Sequence, residues 1–348
     1  MSTNNPSPPP SPRHRRTAIW LGLLVSGGIL GWLALNLDWE AFLREFRRVR
    51  IVPIAAVALL TYLSLWIRAL RWRHLLPSHA KLSRRRIFDA TAVGFTANLV
   101  LPLRAGEIVR PWILSRWQPV GFATGFASVV VERVFDAFAL IGLLGLSLTR
   151  IEQTPPFVHS GAAVLSGAAF AILLLMLYAY FHSAGIMRMT EWLLNATVAK
   201  ARPALAKKLL RMAREFIEGL RGISNFKELA LVLFWSIVLW LEISLLYHTG
   251  LLAFGIPEPN PWIGLTLNVM IALAVAAPGA PGFIGTFQLG CVVALGIYGY
   301  TREFALAYSV VLHVTEVLPT VLLGLFILHR RGLAFRDIRK HAGTNASP

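Results

Sequence analysis

Apolar residues run along this chain in long blocks, with polar residues gathered between them. The blocks at 17–35, 51–70, 122–148, 161–181, 229–254 and 304–328 each reach the length of a helix that crosses a hydrocarbon core of roughly 30 Å. Two further apolar stretches are interrupted. Residues 88–101 would give a helix of roughly 21 Å, and Pro102, Gly106 and Pro111 follow. Residues 262–277 and 283–300 are separated by Pro278, Gly279, Pro281, Gly282 and Gly285. Broken backbone at membrane depth is tolerated only against protein or a wet cavity. We therefore read 87–118 as a re-entrant pair of half-helices, an interfacial hairpin being the alternative. The second interrupted stretch is a second broken pair.

This pattern predicts an all-α polytopic integral membrane protein. It has about six full spans plus two broken or re-entrant helix pairs, or seven or eight helices by hydropathy alone. In the six-span version the two pairs enter from opposite sides. If the second pair crosses fully, the count becomes eight.

Composition agrees with a membrane protein: 56% of residues are hydrophobic and only 15% charged, against about 25% charged in soluble domains. The net charge of +17 raises nucleic acid as a partner, but Lys and Arg cluster between apolar blocks. That is the distribution of cytoplasmic loops facing anionic headgroups, so no nucleic-acid role is expected. Residues 1–16 read as a disordered, basic, Pro-rich tail. Residues 17–329 form the transmembrane domain, and 330–348 form a basic cytoplasmic tail. Both termini are expected inside, in the cytoplasmic (inner) membrane. The loop at 37–50 is basic as well and is the weak point of this topology.

The loop at 182–228 holds nine Lys/Arg. In it Leu205, Leu209, Met212, Phe216 and Leu220 recur at helical spacing, with Lys207, Lys208, Arg211 and Arg214 on the other faces. This is an amphipathic helix, lying either at the headgroups or on the protein's own cytoplasmic surface. Cys291, the single cysteine, sits in an apolar run and reads as a packing thiol. No metal-binding or cofactor-binding spacing is present.

Charged residues embedded in the apolar sequence carry the candidate chemistry. Arg104, Glu107 and Arg110 are spaced three apart, a stripe on one helix face. Glu132 and Asp136 are four apart, where like charges repel, so each needs a cation from Arg104, Arg110, Arg133 or Arg68. Arg68 and Arg71 share a face at the end of the second span, between Trp66 and Trp72, which fit an interfacial belt. Charges at the bilayer centre cost roughly 2.5–3.5 kcal/mol each and are functional by default. With Asn98 they form a candidate network for a lipid headgroup, since a guanidinium fork suits a phosphate as well as a carboxylate. A fixed salt-bridge cluster locking the re-entrant pair to the third span is the structural alternative. Glu242 in the fifth span and His313 with Glu316 in the last are candidates for a proton or cation relay, or for plain helix–helix contacts. The amides after Pro281 and Gly282, ahead of Gln288, could bind an anion or simply make a tight turn.

In order, Arg68–Trp72, Asn98–Arg110, Glu132–Asp136 and Pro278–Gln288 resemble the signature blocks of the lysylphosphatidylglycerol synthetase transmembrane region, or flippase-like domain. The resemblance runs from about residue 17 to 330. It implies a lipid flippase of a bacterial or archaeal membrane, as in bifunctional members that move aminoacylated phosphatidylglycerol outward. Their separate aminoacyl-transferase domain is not expected here, because about 20 residues follow Leu328. Stand-alone members occur beside pathways for hopanoids and polyprenyl-linked sugars. The expected activity is translocation of an anionic, aminoacylated or otherwise modified lipid, with membrane lipids and lipid-synthesis enzymes as partners. A membrane-embedded lipid-modifying transferase and a non-catalytic scaffold are the competing readings.

Overall fold

Only an element that satisfies its own backbone hydrogen bonds can lie singly in hydrocarbon. In the computed structural model every regular element among the described residues is helical. The structure describes residues 12–35, 37–77, 81–102, 104–149, 182–198, 203–221, 226–277 and 279–333, with isolated positions between 160 and 178. The helices are α1 (Pro12–Ala34), α2 (Trp39–Phe46), α3 (Ile51–Leu75), α4 (Arg84–Val100), α5 (Gly106–Trp117) and α6 (Phe122–Leu148). There follow α7 (Ser183–Thr197), α8 (Pro203–Arg221), α9 (Phe226–Ala253), α10 (Pro261–Ala276), α11 (Thr286–Ile297) and α12 (Arg302–Arg330). A single 3-10 turn, Pro281–Phe283, lies between α10 and α11.

Among the described residues, three helices are long and apolar enough to cross a membrane: Ile51–Leu75, Lys227–Ala253 and Arg302–Arg330. The segments Gly22–Ala34 and Trp39–Phe46 meet at 98° and would add a fourth if they count as one span. α6 has the length, at 27 residues, but carries Glu132, Arg133 and Asp136 at its middle. The expected span at 161–181 lies outside the described residues apart from isolated positions, as do residues 1–11 and 334–348 of the two tails. α1 begins at Pro12, inside the stretch assigned to the tail; proline suits the first turn of a helix.

α3 and α9 lie side by side, and α12 packs on α3 and α4. The ends are fixed by polar contacts. At one end, Arg50 N–H donates to the Ala253 carbonyl at 2.8 Å, joining the start of α3 to the end of α9. At the other, His74 Nδ1 and Glu228 Oε2 are 2.6 Å apart, joining the end of α3 to the start of α9.

Between these ends sit two helical hairpins. α4 folds back on α5, and α10 on α11. At roughly 18–25 Å each, these half-helices fall short of a full crossing. Arg86 Nη1 donates to the Trp117 carbonyl at 2.5 Å, closing the open end of the first hairpin. That end lies with the end of α12, where Asp89 takes Arg330 Nη2 and Arg331 Nε, each at 3.1 Å. The second hairpin is closed by Thr266 and Tyr298, whose hydroxyls are 2.9 Å apart, at the opposite end. The hairpins thus enter from opposite ends and their tips meet. α4 touches the Pro281–Phe283 turn, and a side chain on Gly282 would sit 3.2 Å from the Leu99 carbonyl.

Two expectations about the polar segments change. Residues 37–50, assigned to a loop, contain α2. Asp38 caps it by accepting from Ala41 N–H at 2.9 Å, and Phe42 and Phe46 pack on the larger apolar core. The amphipathic pattern at 205–220 does form a helix, α8, and α8 packs on α6. Ala206 and Ile217 are buried there, while Leu205 stays exposed.

Candidate functional site

The charges of α3, α5 and α6 sort into two groups. The first is dry. Glu132 is fully buried and accepts from Arg71 Nη2 at 2.8 Å, Arg110 Nη1 at 2.9 Å and Arg133 Nη2 at 3.1 Å. Arg71, also fully buried, reaches Asp136 Oδ1 at 2.5 Å and Ser236 Oγ at 3.2 Å. Asp136 further takes Arg133 at 3.1 Å and the Trp240 indole N–H at 3.2 Å. Trp72 floors the network. Its ring lies 3.8 Å from the Arg110 guanidinium carbon, and its indole N–H donates to Ser128 Oγ at 2.8 Å. Three guanidinium groups and two carboxylates are thereby held in one geometry from α3, α5 and α6.

The second group faces a cavity of about 360 Å³ where the hairpin tips meet, within the roughly 300–1,000 Å³ of small-ligand sites. Its polar lining includes Arg68, Asn98, Arg104, Glu107, Glu316 and Arg133. Arg68 stacks over the Phe95 ring at 4.7 Å. It makes no ion pair among the described residues, although the charges of Asp136 and Glu132 reach it. Arg104 has a left-handed backbone, φ +50°, so it sits in the hairpin tip. It donates to the Val275 carbonyl and lies 5.5 Å over Phe283; it too has no carboxylate partner among the described residues. Asn98 Oδ1 is buried without a hydrogen bond.

Several expectations are corrected by this geometry. Arg104, Glu107 and Arg110 do not form one stripe. α5 begins at Gly106, so Arg104 precedes the helix, and Arg110 turns to Glu132 instead of the cavity. Arg110, 3% exposed, and Arg71 are structural cations and are closed to a headgroup. Arg68, named as a cation for the carboxylates, pairs with neither; Arg71 does so in its place. Trp72 is in the core, not in an interfacial belt, whereas Trp66 is 44% exposed and stacks on Phe88. The close fit of α4 on α5 also explains Gly106: any Cβ there would meet the Gly94 carbonyl and the Asn98 side chain.

The second tip is occupied with its own hydrogen bonds. Gln288 Oε1 accepts from Gly285 N–H at 2.7 Å and Ser26 Oγ accepts from Ala280 N–H at 2.8 Å. Of the amides proposed for an anion, Phe283 N–H donates to the Ala280 carbonyl at 3.0 Å, so it and Gly285 N–H are already taken. Gly282 holds φ +72°, a conformation glycine adopts without strain. Pro278 lies outside the described residues, and Gly279 packs against Thr286 and Ser26. His313 Nδ1 is 3.0 Å from Gln288 Nε2 and its Nε2 is 2.8 Å from the Gly282 carbonyl. Nδ1 therefore accepts and Nε2 donates, which fixes a neutral tautomer and removes His313 from a relay. Glu242 and Glu316 remain, with Glu242 Oε1, Glu242 Oε2 and Glu316 Oε1 buried and unpartnered. Cys291 is fully buried, as expected of a packing thiol. Trp240, Ser128, Ser236 and Asp89 were not singled out in the sequence; small polar or aromatic residues inside apolar helices were the only signal they gave.

Fold and site define an all-helical membrane protein with a charged internal cavity between two opposed hairpins. The chain belongs to the family of the lysylphosphatidylglycerol synthase TM region, whose model matches residues 19–324. It is 24% identical over 335 residues to Glycosyltransferase AglD of Haloferax volcanii, an alignment spanning 89% of this chain and 54% of that protein. The chain thus spans about half the length of that relative. It is also 24% identical over 334 residues to a UPF0104 membrane protein of Methanothermobacter thermautotrophicus, covering 90% of this chain and 93% of the relative. No solved structure matches.

Proposed function

We propose that this protein carries the headgroup of an anionic lipid between leaflets through the cavity at the meeting hairpin tips. The observation that supports the reading is the contrast between the two groups of arginines. Arg71 and Arg110 are committed to buried carboxylates, while Arg68 and Arg104 face the cavity without one. A phosphate entering the cavity finds two guanidinium groups to neutralise it, and the acyl chains stay in the bilayer. Asn98 and Glu107 add polar contacts for the rest of the headgroup. Because the hairpins enter from opposite ends, retreat of either tip opens the cavity to one side only, the arrangement alternating access needs. We assign the end bearing Arg84, Arg85, Arg86, Arg330 and Arg331 to the cytoplasm, a reading that the distribution of positive charge supports, and with it a cytoplasmic membrane.

The test is exchange of labelled lipids in reconstituted vesicles. Phosphatidylglycerol should exchange between leaflets faster than in protein-free vesicles, and a lipid with a neutral, phosphate-free sugar headgroup should not. Equal acceleration of both lipids would remove the arginines from the mechanism. A second reading has one observation in its favour, the glycosyltransferase name of a relative: the chain is the membrane part of a lipid-modifying transferase system, or docks lipid-synthesis enzymes. A new lipid species in cells that express the protein would support that reading; a changed leaflet distribution alone supports transport.

A further inference from the structure

Beside the cavity lie two acids that the headgroup reading does not use. Glu242 on α9 is 6% exposed, and neither of its oxygens has a hydrogen bond. Glu316 on α12 lines the cavity with Oε1 buried and unpartnered. α9 and α12 touch, and Glu316 lines the same cavity as Arg68; the charge of Glu242 reaches Glu316, and that of Arg68 reaches both. Tyr247 from α9, Tyr308 from α12 and Cys291 from α11, all buried, face them. Around the cavity that Glu316 shares with Arg68 stand Arg104, Glu107, Arg133, Asp136 and His313, and the charges of Asp136 and Glu132 also act on Arg68. α10 brings no titratable side chain.

We propose that Glu242 and Glu316 form a proton-binding pair whose occupancy is tied to headgroup binding at Arg68. One guanidinium offsets at most one carboxylate. A second carboxylate with a buried, unpartnered oxygen is held far more cheaply as the neutral acid. While Arg68 is free, it offsets one ionised acid and the other carries a proton. When Arg68 turns to a lipid phosphate, the remaining ionised acid loses its counter-charge and takes a proton from the water on the side to which the cavity is open. The cavity then gains one negative charge with the headgroup and one positive charge with the proton, so its net charge does not change. Release of the headgroup frees Arg68, and the proton leaves to the water on the new side. A proton fits better than a metal ion: among the described residues no group of three or more His, Cys, Asp or Glu is placed to hold one. His313, bonded at both nitrogens, is not part of the pair.

This inference rests on the headgroup reading, and two measurements keep the two apart. The first is infrared difference spectroscopy of the purified protein as pH is stepped. Wild type should show a protonated-carboxyl stretch that changes with pH, and the Glu242→Gln and Glu316→Gln variants should each lose part of it. Identical spectra in all three proteins overturn the pair. The second is exchange of labelled phosphatidylglycerol in vesicles under an imposed pH gradient. Wild type should skew the lipid between leaflets along the gradient. Either single Glu→Gln variant keeps one acid that can titrate against Arg68 and should keep the skew; the Glu242→Gln/Glu316→Gln double variant has none and should lose it. A double variant that follows the gradient as wild type does, or a wild type that follows a sodium gradient instead, overturns the coupling. A wild type that moves no lipid refutes the headgroup reading, and the infrared result then decides the pair alone.

Discussion

Glu132 and Arg68 stand in contrast: the first side chain is saturated with ionic partners, and the second, stacked on Phe95, has no ion pair among the described residues. Glu132 answers three guanidinium groups. Its replacement by alanine leaves them buried without a carboxylate, a loss of about 3–5 kcal/mol for a broken buried pair. Glu132→Ala should therefore lower the unfolding midpoint in detergent sharply, whereas Arg68→Ala should leave it near wild type. The sequence made the need for pairing legible, because Glu132 and Asp136 share a face. Of the four cations it offered, Arg110 and Arg133 are partners, Arg104 and Arg68 are not, and Arg71 was not among them. Arg68 and Arg71 stand three apart on α3, and only packing depth decides that Arg71 meets α6 while Arg68 meets the cavity. The same holds for Trp72, whose neighbours in the chain are arginines but whose neighbours in space are Arg110 and Ser128.

The hairpins turn these side chains into a site. Pro102 and the Pro-Gly pairs marked both breaks in the sequence, and the half-helices follow from their length. Harder to read was α2, whose charges resemble a loop; two of its apolar residues, Phe42 and Phe46, serve a core built elsewhere in the chain. The first hairpin depends on close approach at Gly106. Gly106→Val should force α4 and α5 apart and cost about 1–3 kcal/mol as overpacking, read as a lower unfolding midpoint. The open end of the same hairpin is tied to α12 through Asp89, 2% exposed. Asp89→Asn removes the charge but keeps the size, and it should cost about 1–3 kcal/mol. Its unfolding midpoint should also lose sensitivity to salt relative to wild type.

Across the whole molecule, a buried ion network ties α5 and α6 to α3, and a cavity with unpaired arginines lies where two opposed tips meet. On the proposed reading that division separates scaffold from mechanism: the network arginines stabilise, and the cavity arginines are the ones that exchange partners. The most direct measurement is the rate at which labelled phosphatidylglycerol in reconstituted vesicles becomes accessible to an impermeant reductant, compared among wild type, Arg104→Ala and the surface variant Arg44→Ala. Loss of a charge-assisted contact of about 1.5–3 kcal/mol should slow Arg104→Ala by roughly ten- to a hundredfold, with Arg44→Ala at the wild-type rate. Exchange by Arg104→Ala as fast as by wild type would contradict the account.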